Sequence, residues 1–322
     1  MRFGRRTFLA IAYGGVTSAM AAAPAKLAAA LQARDADRPM PLVLLPPGAN
    51  SRFVTANGIR MHYVIAGTGP AVLLLHGWPQ TWYAWAETIR ILSDRFTVVA
   101  PDLRGTGLSE RPTSGYDKRT IASDLSDLIG KVAGGSAYVV AHDMGGKAAY
   151  VLALLRPEQV RKLVLVDCLV PGTENTDALH GGAWHYGFHM AAAVPELLTA
   201  GREREYIQLQ IRTWSHRKDA ISERAVSEYA RHYAVPGGMT AGFNYYRALT
   251  EDARFLQSLP SKKLKMPVLA IGGGHGVGTK LADTLRPDVE NLVSIVAEDS
   301  GHFVPEEVPD LFHKTVREFL SA

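Results

Sequence analysis

One cysteine, Cys168, is present in 322 residues. That excludes an intrachain disulfide and any cysteine-rich metal site. Acidic residues are missing from the first 34 positions, which carry Arg2, Arg5, Arg6, Lys26 and Arg34. Removing those five basic residues takes the formal charge from +4 to −1, so the basic balance resides in the leader and implies no nucleic-acid partner. No stretch beyond the leader approaches the roughly 18 uninterrupted apolar residues of a membrane span. No Gly-x-Ser-x-Gly is found, which argues against a serine esterase. Internal repeats and low-complexity tracts are also missing. What is there is ordinary globular material, 47% hydrophobic and 20% charged, enough for a large core.

The N-terminus reads as an address. Arg5-Arg6-Thr7-Phe8-Leu9 precedes a modest apolar run from Leu9 to Ala23, and Ala21-Ala22-Ala23 offers a small-residue exit. A charged start, a short apolar stretch and a small-residue cleavage site make a signal peptide, and the paired arginines resemble a twin-arginine signal over residues 1–34. The expectation is an exported protein, periplasmic or secreted, with no membrane span once mature. Residues 35–50 contain Pro39, Pro41, Pro46 and Pro47 and are expected to be an irregular linker.

From residue 51 the pattern turns regular. Two short β-type runs flank Asn57-Gly58, as in a hairpin. Continuous apolar runs at 71–75, 96–100, 138–141, 163–166, 268–271 and 292–296 mark strands buried on both faces. Helical patterns fall between them, at 82–92, 121–132, 146–155 and 309–320. This alternation predicts an α/β fold with a mostly parallel sheet covered by helices on both faces. It breaks at 171–249, a helical stretch rich in Trp, His, Tyr and Arg, expected to be a cap between two core portions, 51–170 and 250–322.

Val140-Ala141-His142-Asp143-Met144-Gly145-Gly146 lies where a strand ends and a helix begins. Its small residues suit the sharp strand–turn–helix of a nucleophile elbow, with Asp143 in the nucleophile's place. The residue type carries chemistry. Serine attacking a saturated carbon would leave an ether that water does not easily cleave. A carboxylate leaves an ester, which activated water can hydrolyse. Asp143 therefore points to substrates opened at alkyl carbon, epoxides or alkyl halides. His76-Gly77-Trp78-Pro79 follows a buried strand, and its Trp78 N–H together with the Met144 N–H can form an oxyanion hole. His302, in Gly301-His302 after the last strand, is the general-base candidate. The loop Gly272–Gly276 holds no acid, so Asp167, which ends the strand after the nucleophile helix, is the candidate to orient it. An epoxide leaves as an alkoxide and needs a proton donor. The cap supplies candidates in Trp184-His185-Tyr186 and Asn244-Tyr245-Tyr246-Arg247, with Trp184 and Tyr245 expected to be packing.

From about residue 53 to the end, the chain resembles the epoxide hydrolase branch of the α/β-hydrolase superfamily, and most particularly the Cif-type enzymes. The matching motifs are His76-Gly77-Trp78-Pro79, Ala141-His142-Asp143, Trp184-His185, Tyr245-Tyr246-Arg247-Ala248-Leu249, Gly272-Gly273-Gly274-His275-Gly276 and Gly301-His302. The resemblance implies His185 and Tyr246 as the ring-opening pair and an acid on the earlier strand, in agreement with Asp167. The subgroup usually has Glu at that position, and the segment from Asp167 to Trp184 is shorter here. No metal or organic cofactor is implied, the partner is a small epoxide, and a homodimer is the suggested assembly. The competing expectations are a dehalogenase, which would keep Asp143 but usually carries Trp or Arg where Met144 stands, and a non-enzymatic binding protein on the same fold.

Overall fold

The computed structural model describes residues 45–180, 182–260 and 263–322. The expected signal peptide and most of the expected linker lie outside the described residues. Eight strands form one sheet in the order β1-β2-β4-β3-β5-β6-β7-β8. They are β1 (Asn50–Ala56), β2 (Ile59–Ala66), β3 (Ala71–Leu75), β4 (Thr97–Pro101), β5 (Ala137–His142), β6 (Val160–Val166), β7 (Val268–Gly273) and β8 (Leu292–Ala297). The hairpin β1–β2 and the β2–β4 pair are antiparallel; every pairing from β4 to β8 is parallel.

The continuous apolar strands have a direct cause. Successive side chains point to opposite faces of a sheet, and both faces here are covered. Leu73 and Leu75 of β3 pack into one core layer with α2 (Lys118–Val132) and α3 (Asp143–Leu155). Val72 and Leu74 pack into the other, with α1 (Ala86–Leu92) and the C-terminal α12 (Pro309–Ser321). Burying each such side chain contributes about 1.5–3 kcal/mol, so no disulfide is needed.

Between β6 and β7 the chain leaves the sheet and forms α4 (Trp184–Met190), α5 (Val194–Thr199), α6 (Glu203–Trp214), α7 (Glu223–Tyr233), α8 (Gly238–Arg247) and α9 (Leu249–Ser258). The helical run continues past 249 because Ala248 keeps helical backbone angles and serves as cap residue for both α8 and α9. Buried Lys118, the first residue of α2, ties this insertion to the core. Its Nζ donates to Asp252 Oδ2 at 3.0 Å and to the Tyr245 carbonyl at 3.1 Å. The chain then completes β7, α10 (Lys280–Leu285), β8, α11 (Val304–Glu307) and α12.

Several elements differ from the pattern reading, among them the helix expected at 82–92, whose first turn Trp82–Trp85 is a 3-10 helix, and β6, which starts at Val160 rather than 163. Helix α3 begins at Asp143 rather than 146, and α2 at Lys118 rather than 121, where Asp117 accepts from the Thr120 N–H as an N-cap. Strand β7 runs through Gly272 and Gly273, which were expected to be loop, because both pair in register with β8. Short α10 and α11 had no periodic signal of their own.

Candidate active site

Strands β3, β5, β6, β7 and β8 are parallel, so their C-terminal ends share one edge of the sheet, where ligands bind in such folds. Every core candidate from the sequence lies there or in the loops that follow. Asp143 sits on a sharp turn with φ +48°. That left-handed conformation costs an ordinary L-residue about 1–2 kcal/mol, and the tight packing around it holds the strain in place. A Cβ on Gly77 would come within 2.4 Å of the Asp143 Cβ, and one on Gly145 within 2.5 Å of the His76 carbonyl oxygen. Glycine at these positions lets the β3 loop close against the turn.

That approach delivers the Trp78 N–H to Asp143 Oδ2 at 2.8 Å. Met144 follows in the first turn of α3, whose N–H groups have no intrahelical acceptor and favour negative charge. Burial alone would raise the Asp143 carboxyl. Neighbouring His302, the Trp78 N–H and Lys147 outweigh that and hold it below the ordinary carboxylate range. Asp143 is therefore ionised at neutral pH, with Oδ2 occupied and Oδ1 facing His302.

His302 Nε2 stands 4.0 Å from Asp143 Oδ1, too far for a hydrogen bond but a spacing that one water can bridge at a bent angle. Its Nδ1 bonds Asp167 Oδ2 at 2.7 Å. The structure thus brings the acid from the end of β6 to the imidazole. Asp167 also has positive φ, +38°, and its Oδ1 accepts from the N–H of Gly273 and of Val277 at 2.8 and 2.9 Å. The end of β7 and the loop after it, which lacks an acid, instead supply the N–H groups that fix one. A Cβ on Gly276 would lie 2.5 Å from Asp167 Oδ1, so this loop can wrap the carboxylate only with glycine there. Burial would lower the His302 pKa; the hydrogen bond and charge of Asp167, with Asp143, raise it above its ordinary value.

The insertion places His185 (α4) and Tyr246 (α8) together, ring centroids 5.8 Å apart and perpendicular. Tyr246 is buried, and burial followed by the Asp143 charge drives its pKa far up, so it stays a neutral phenol. Burial likewise lowers His185 to about 4, opposed by Asp143, so its imidazole is neutral at pH 7. Among the described residues neither the His185 ring nor the Tyr246 hydroxyl has a hydrogen-bond partner, and both groups feel Asp143.

Other neighbours complete the site: Tyr186, named in the sequence within the donor stretch but given no role, and Trp214 and His189, which the sequence did not single out. Tyr186 stacks on His185 at 4.6 Å and meets Tyr246 edge-on at 5.6 Å. Trp214 lies 4.7 Å from His185 and 5.6 Å from His302. His189 packs against Trp78 and Tyr246 and bonds the Tyr206 hydroxyl at 2.6 Å. Aromatic enrichment was visible in 171–249, but which ring faces the nucleophile depends on how α4, α6 and α8 cross. Tyr245 is packing, with its hydroxyl on the Arg104 carbonyl at 2.7 Å. Trp184 is not: it is 49% exposed, on the outer side of α4. Lys147 is buried and committed to the Glu174 carboxylate and the Leu169 carbonyl, so it is not free to clamp an anionic substrate. His275 stacks on His216 in an exposed pair at 3.6 Å.

Residues 70–309 match the alpha/beta hydrolase fold family. The soluble epoxide hydrolase of Corynebacterium sp. (strain C12) is 35% identical over 280 residues, covering 82% of this chain and 95% of that protein. The fluoroacetate dehalogenase of Burkholderia sp. is 28% identical, covering 85% of this chain and 94% of its own. Among solved structures, the Cif epoxide hydrolase from Acinetobacter nosocomialis superposes with a TM-score of 0.82 at 25% identity, over 93% of this chain and 96% of that one. The chain is an α/β-hydrolase. Within that family it belongs to the epoxide hydrolase branch.

Proposed function

We propose that the protein hydrolyses an apolar epoxide to a vicinal diol through an alkyl ester on Asp143. The observation that carries this reading is the grouping around Asp143: two neutral, unbonded donors packed together, His185 and Tyr246, both within reach of the Asp143 charge, with the Asp167–His302 pair at its side. Asp143 Oδ1 attacks a ring carbon while His185 and Tyr246 donate to the ring oxygen. The carbon–oxygen bond breaks, and the alkoxide, a far stronger base than phenolate, takes a proton from Tyr246. Oδ2, already on the Trp78 N–H, becomes the ester carbonyl oxygen. His302 Nε2, held in the right tautomer by Asp167, then takes a proton from water. That water adds to the ester carbonyl carbon, the oxyanion being met by the Trp78 and Met144 N–H groups. Collapse expels the diol oxygen, which takes the proton of the new Asp143 carboxyl, and the proton held by His302 returns through solvent to the Tyr246 phenolate, so that Asp143, His302 and Tyr246 are all restored.

The dehalogenase alternative rests on the same nucleophile and is supported by the dehalogenase relative. Against it stand Met144, which adds no side-chain donor beside the nucleophile, and Lys147, bound up with Glu174. A single turnover in ¹⁸O-water with terminal epoxides, followed by mass spectrometry of the Asp143 peptide, tests the proposal. Diol with label in Asp143 is the expected result. Diol without label would remove Asp143 as nucleophile, and halide release from haloacids without diol would move the chain to the dehalogenases. The twin-arginine-like leader further suggests export, which cell fractionation of the tagged full chain would check. A homodimer is the suggested assembly, to be read by sedimentation.

A further inference from the structure

Behind the base, a line of polar groups runs away from the reacting atoms and is not used by the steps above. His142 Nε2 faces the backbone carbonyl of His302 at 2.9 Å. As placed, the Gln80 Oε1 lies 3.2 Å from His142 Nδ1, and the Gln80 Nε2 at the other end of that amide donates to Glu306 Oε2. Glu306 Oε1 accepts from the Tyr229 hydroxyl at 2.8 Å. His142 and Gln80 are both almost wholly buried, with 1% and 2% of their surface exposed, so water cannot substitute for missing partners.

We propose that Glu306 in its protonated form is a positioning residue for the general base, anchoring a chain Glu306–Gln80–His142 that ends on the backbone carbonyl of His302.

The donor inventory leads to this assignment. A carbonyl oxygen only accepts, so His142 Nε2 must carry a proton. Burial, with His302 adding repulsion, pushes His142 down to about 3, so its ring is neutral and its Nδ1 is a bare acceptor. Gln80 must therefore turn its NH₂ toward Nδ1. The two ends of a Gln amide are nearly the same shape and are assigned from the network around them. The amide oxygen then faces Glu306 Oε2, and two acceptors can meet only if the carboxyl carries the proton. Every group in the line is satisfied with one proton on Glu306 and none on Gln80 or His142 to spare. The opposite orientation, with the amide oxygen toward Nδ1, requires an imidazolium at His142 beside His302, which burial opposes. The surroundings of Glu306 agree. Tyr229 on α7, whose pKa burial raises, is a neutral phenol, Tyr83 packs beside it, β7 presents no titratable side chain, and Glu307, next in sequence, is the near charge. Burial foremost, with a smaller push from Glu307, raises Glu306 to about 7 against the hydrogen bonds from Tyr229 and from the Gln80 amide as placed; turning that amide removes the second of these.

Ionisation of Glu306 would leave the Gln80 amide and the Glu306 carboxylate facing as acceptors, or would turn the amide and set its oxygen against Nδ1. Either way the tether on His302 is lost just as the pH rises through about 7. E306Q removes that dependence: a Gln at 306 donates to the Gln80 oxygen and accepts from Tyr229 at every pH. E306A removes the tether altogether.

The catalytic consequence rests on the Asp143-ester reading, so two readouts are needed. The first, independent of any reaction, is ¹⁵N NMR of the histidine-labelled protein. His142 is expected as the Nε2–H tautomer, with its Nδ1 resonance shifting at a midpoint near pH 7 in the wild type and not in E306Q. A Nδ1–H tautomer, an imidazolium, or an unchanged midpoint in E306Q would overturn the proposal. The second is ester hydrolysis in single turnover. E306A is expected to slow it about tenfold with alkylation unaffected, E306Q to restore it, and the E306Q to wild-type ratio to rise as pH passes 7; the ratio cancels the titration of His302 itself. A flat ratio, or an E306A loss confined to alkylation, would refute the positioning role. If no ester forms at all, the mechanism under Proposed function fails, while the NMR result still decides the proton placement.

Discussion

Replacing Asp167 with asparagine should stop the second half of the reaction and leave the first nearly intact. In the native site the carboxylate accepts three hydrogen bonds: His302 Nδ1–H at 2.7 Å, and the Gly273 and Val277 N–H groups at 2.8 and 2.9 Å. Asparagine is nearly the same shape. Its oxygen would stay on the two backbone donors, because the alternative leaves them buried and unpaired at about 1–3 kcal/mol each. Its NH₂ then points at His302 Nδ1 and forces that nitrogen to accept. The ring proton moves to Nε2, and the base can no longer take a proton from water. Such a tautomer error costs about 10⁴-fold in serine proteases, about 5.5 kcal/mol of transition-state stabilisation. Alkylation needs Asp143, Tyr246 and His185 but no base, so it should persist within about tenfold. The assay is rapid-quench turnover with mass spectrometry of the Asp143 peptide, plus a thermal melt to show that the variant folds. D167N should accumulate the ester stoichiometrically and release diol about 10³–10⁴ times more slowly. Diol release within tenfold of wild type, or loss of alkylation without ester, would refute Asp167 as the orienting acid.

Other expectations follow from the same geometry. G276A would set a methyl 2.5 Å from Asp167 Oδ1 and displace the acid; diol release should fall roughly 10–10²-fold with the ester again visible, and unchanged kinetics would show that the loop yields. Y246F should slow alkylation by roughly 10²-fold through loss of one donor to the ring oxygen, with hydrolysis of a preformed ester unchanged; a slowdown in that hydrolysis instead would place Tyr246 elsewhere in the cycle. In wild type, diol release limited by His302 should rise with pH through a midpoint above the ordinary histidine value, since the raised pKa keeps the base protonated to higher pH. A second pH effect is structural. Burial would raise Asp102, but the hydrogen bond and charge of His62, whose Nδ1 is 2.8 Å away, with His232 and His76 adding to them, lower it to about 2. A depressed carboxylate stabilises the fold above its unfolded pKa of 3.8 and loses that contribution as pH falls toward 2. D102N should remove about 2 kcal/mol of acid-labile stability from urea titrations between pH 5 and 2; equal slopes in both proteins would count against it.

The core of this protein was legible because its signals are local. A buried parallel strand must be apolar on both faces, so 71–75, 138–141, 163–166 and 268–271 declare themselves without any knowledge of neighbours. The elbow declares itself because small residues must surround Asp143 for the turn to close. The position of His302 after the last strand follows from chain order. Helix starts were less legible: α3 begins on the nucleophile, and neither Asp143 nor His142 makes a side-chain cap that could have marked it.

Whether Asp167 could reach the imidazole was a matter of distance between two parallel strands, and sequence carries no such distance. The registers of β6 against β7 and of β7 against β8 bring its carboxylate to 2.7 Å from His302 Nδ1, in the loop after β8. In the cap, composition announced aromatic rings but not their facing: Trp184 turns outward, while Tyr186, His189 and Trp214 turn in. The line from Glu306 to His302 joins residues 226, 62 and 160 positions apart, and none of those separations has a pattern a sequence could show. The sequence by itself determined the layered fold and pointed to the candidate nucleophile and base, because periodicity and turn sterics act over a few residues. The tertiary structure alone decided which groups share a proton, because hydrogen bonding depends on ångström-scale approach between segments far apart in the chain.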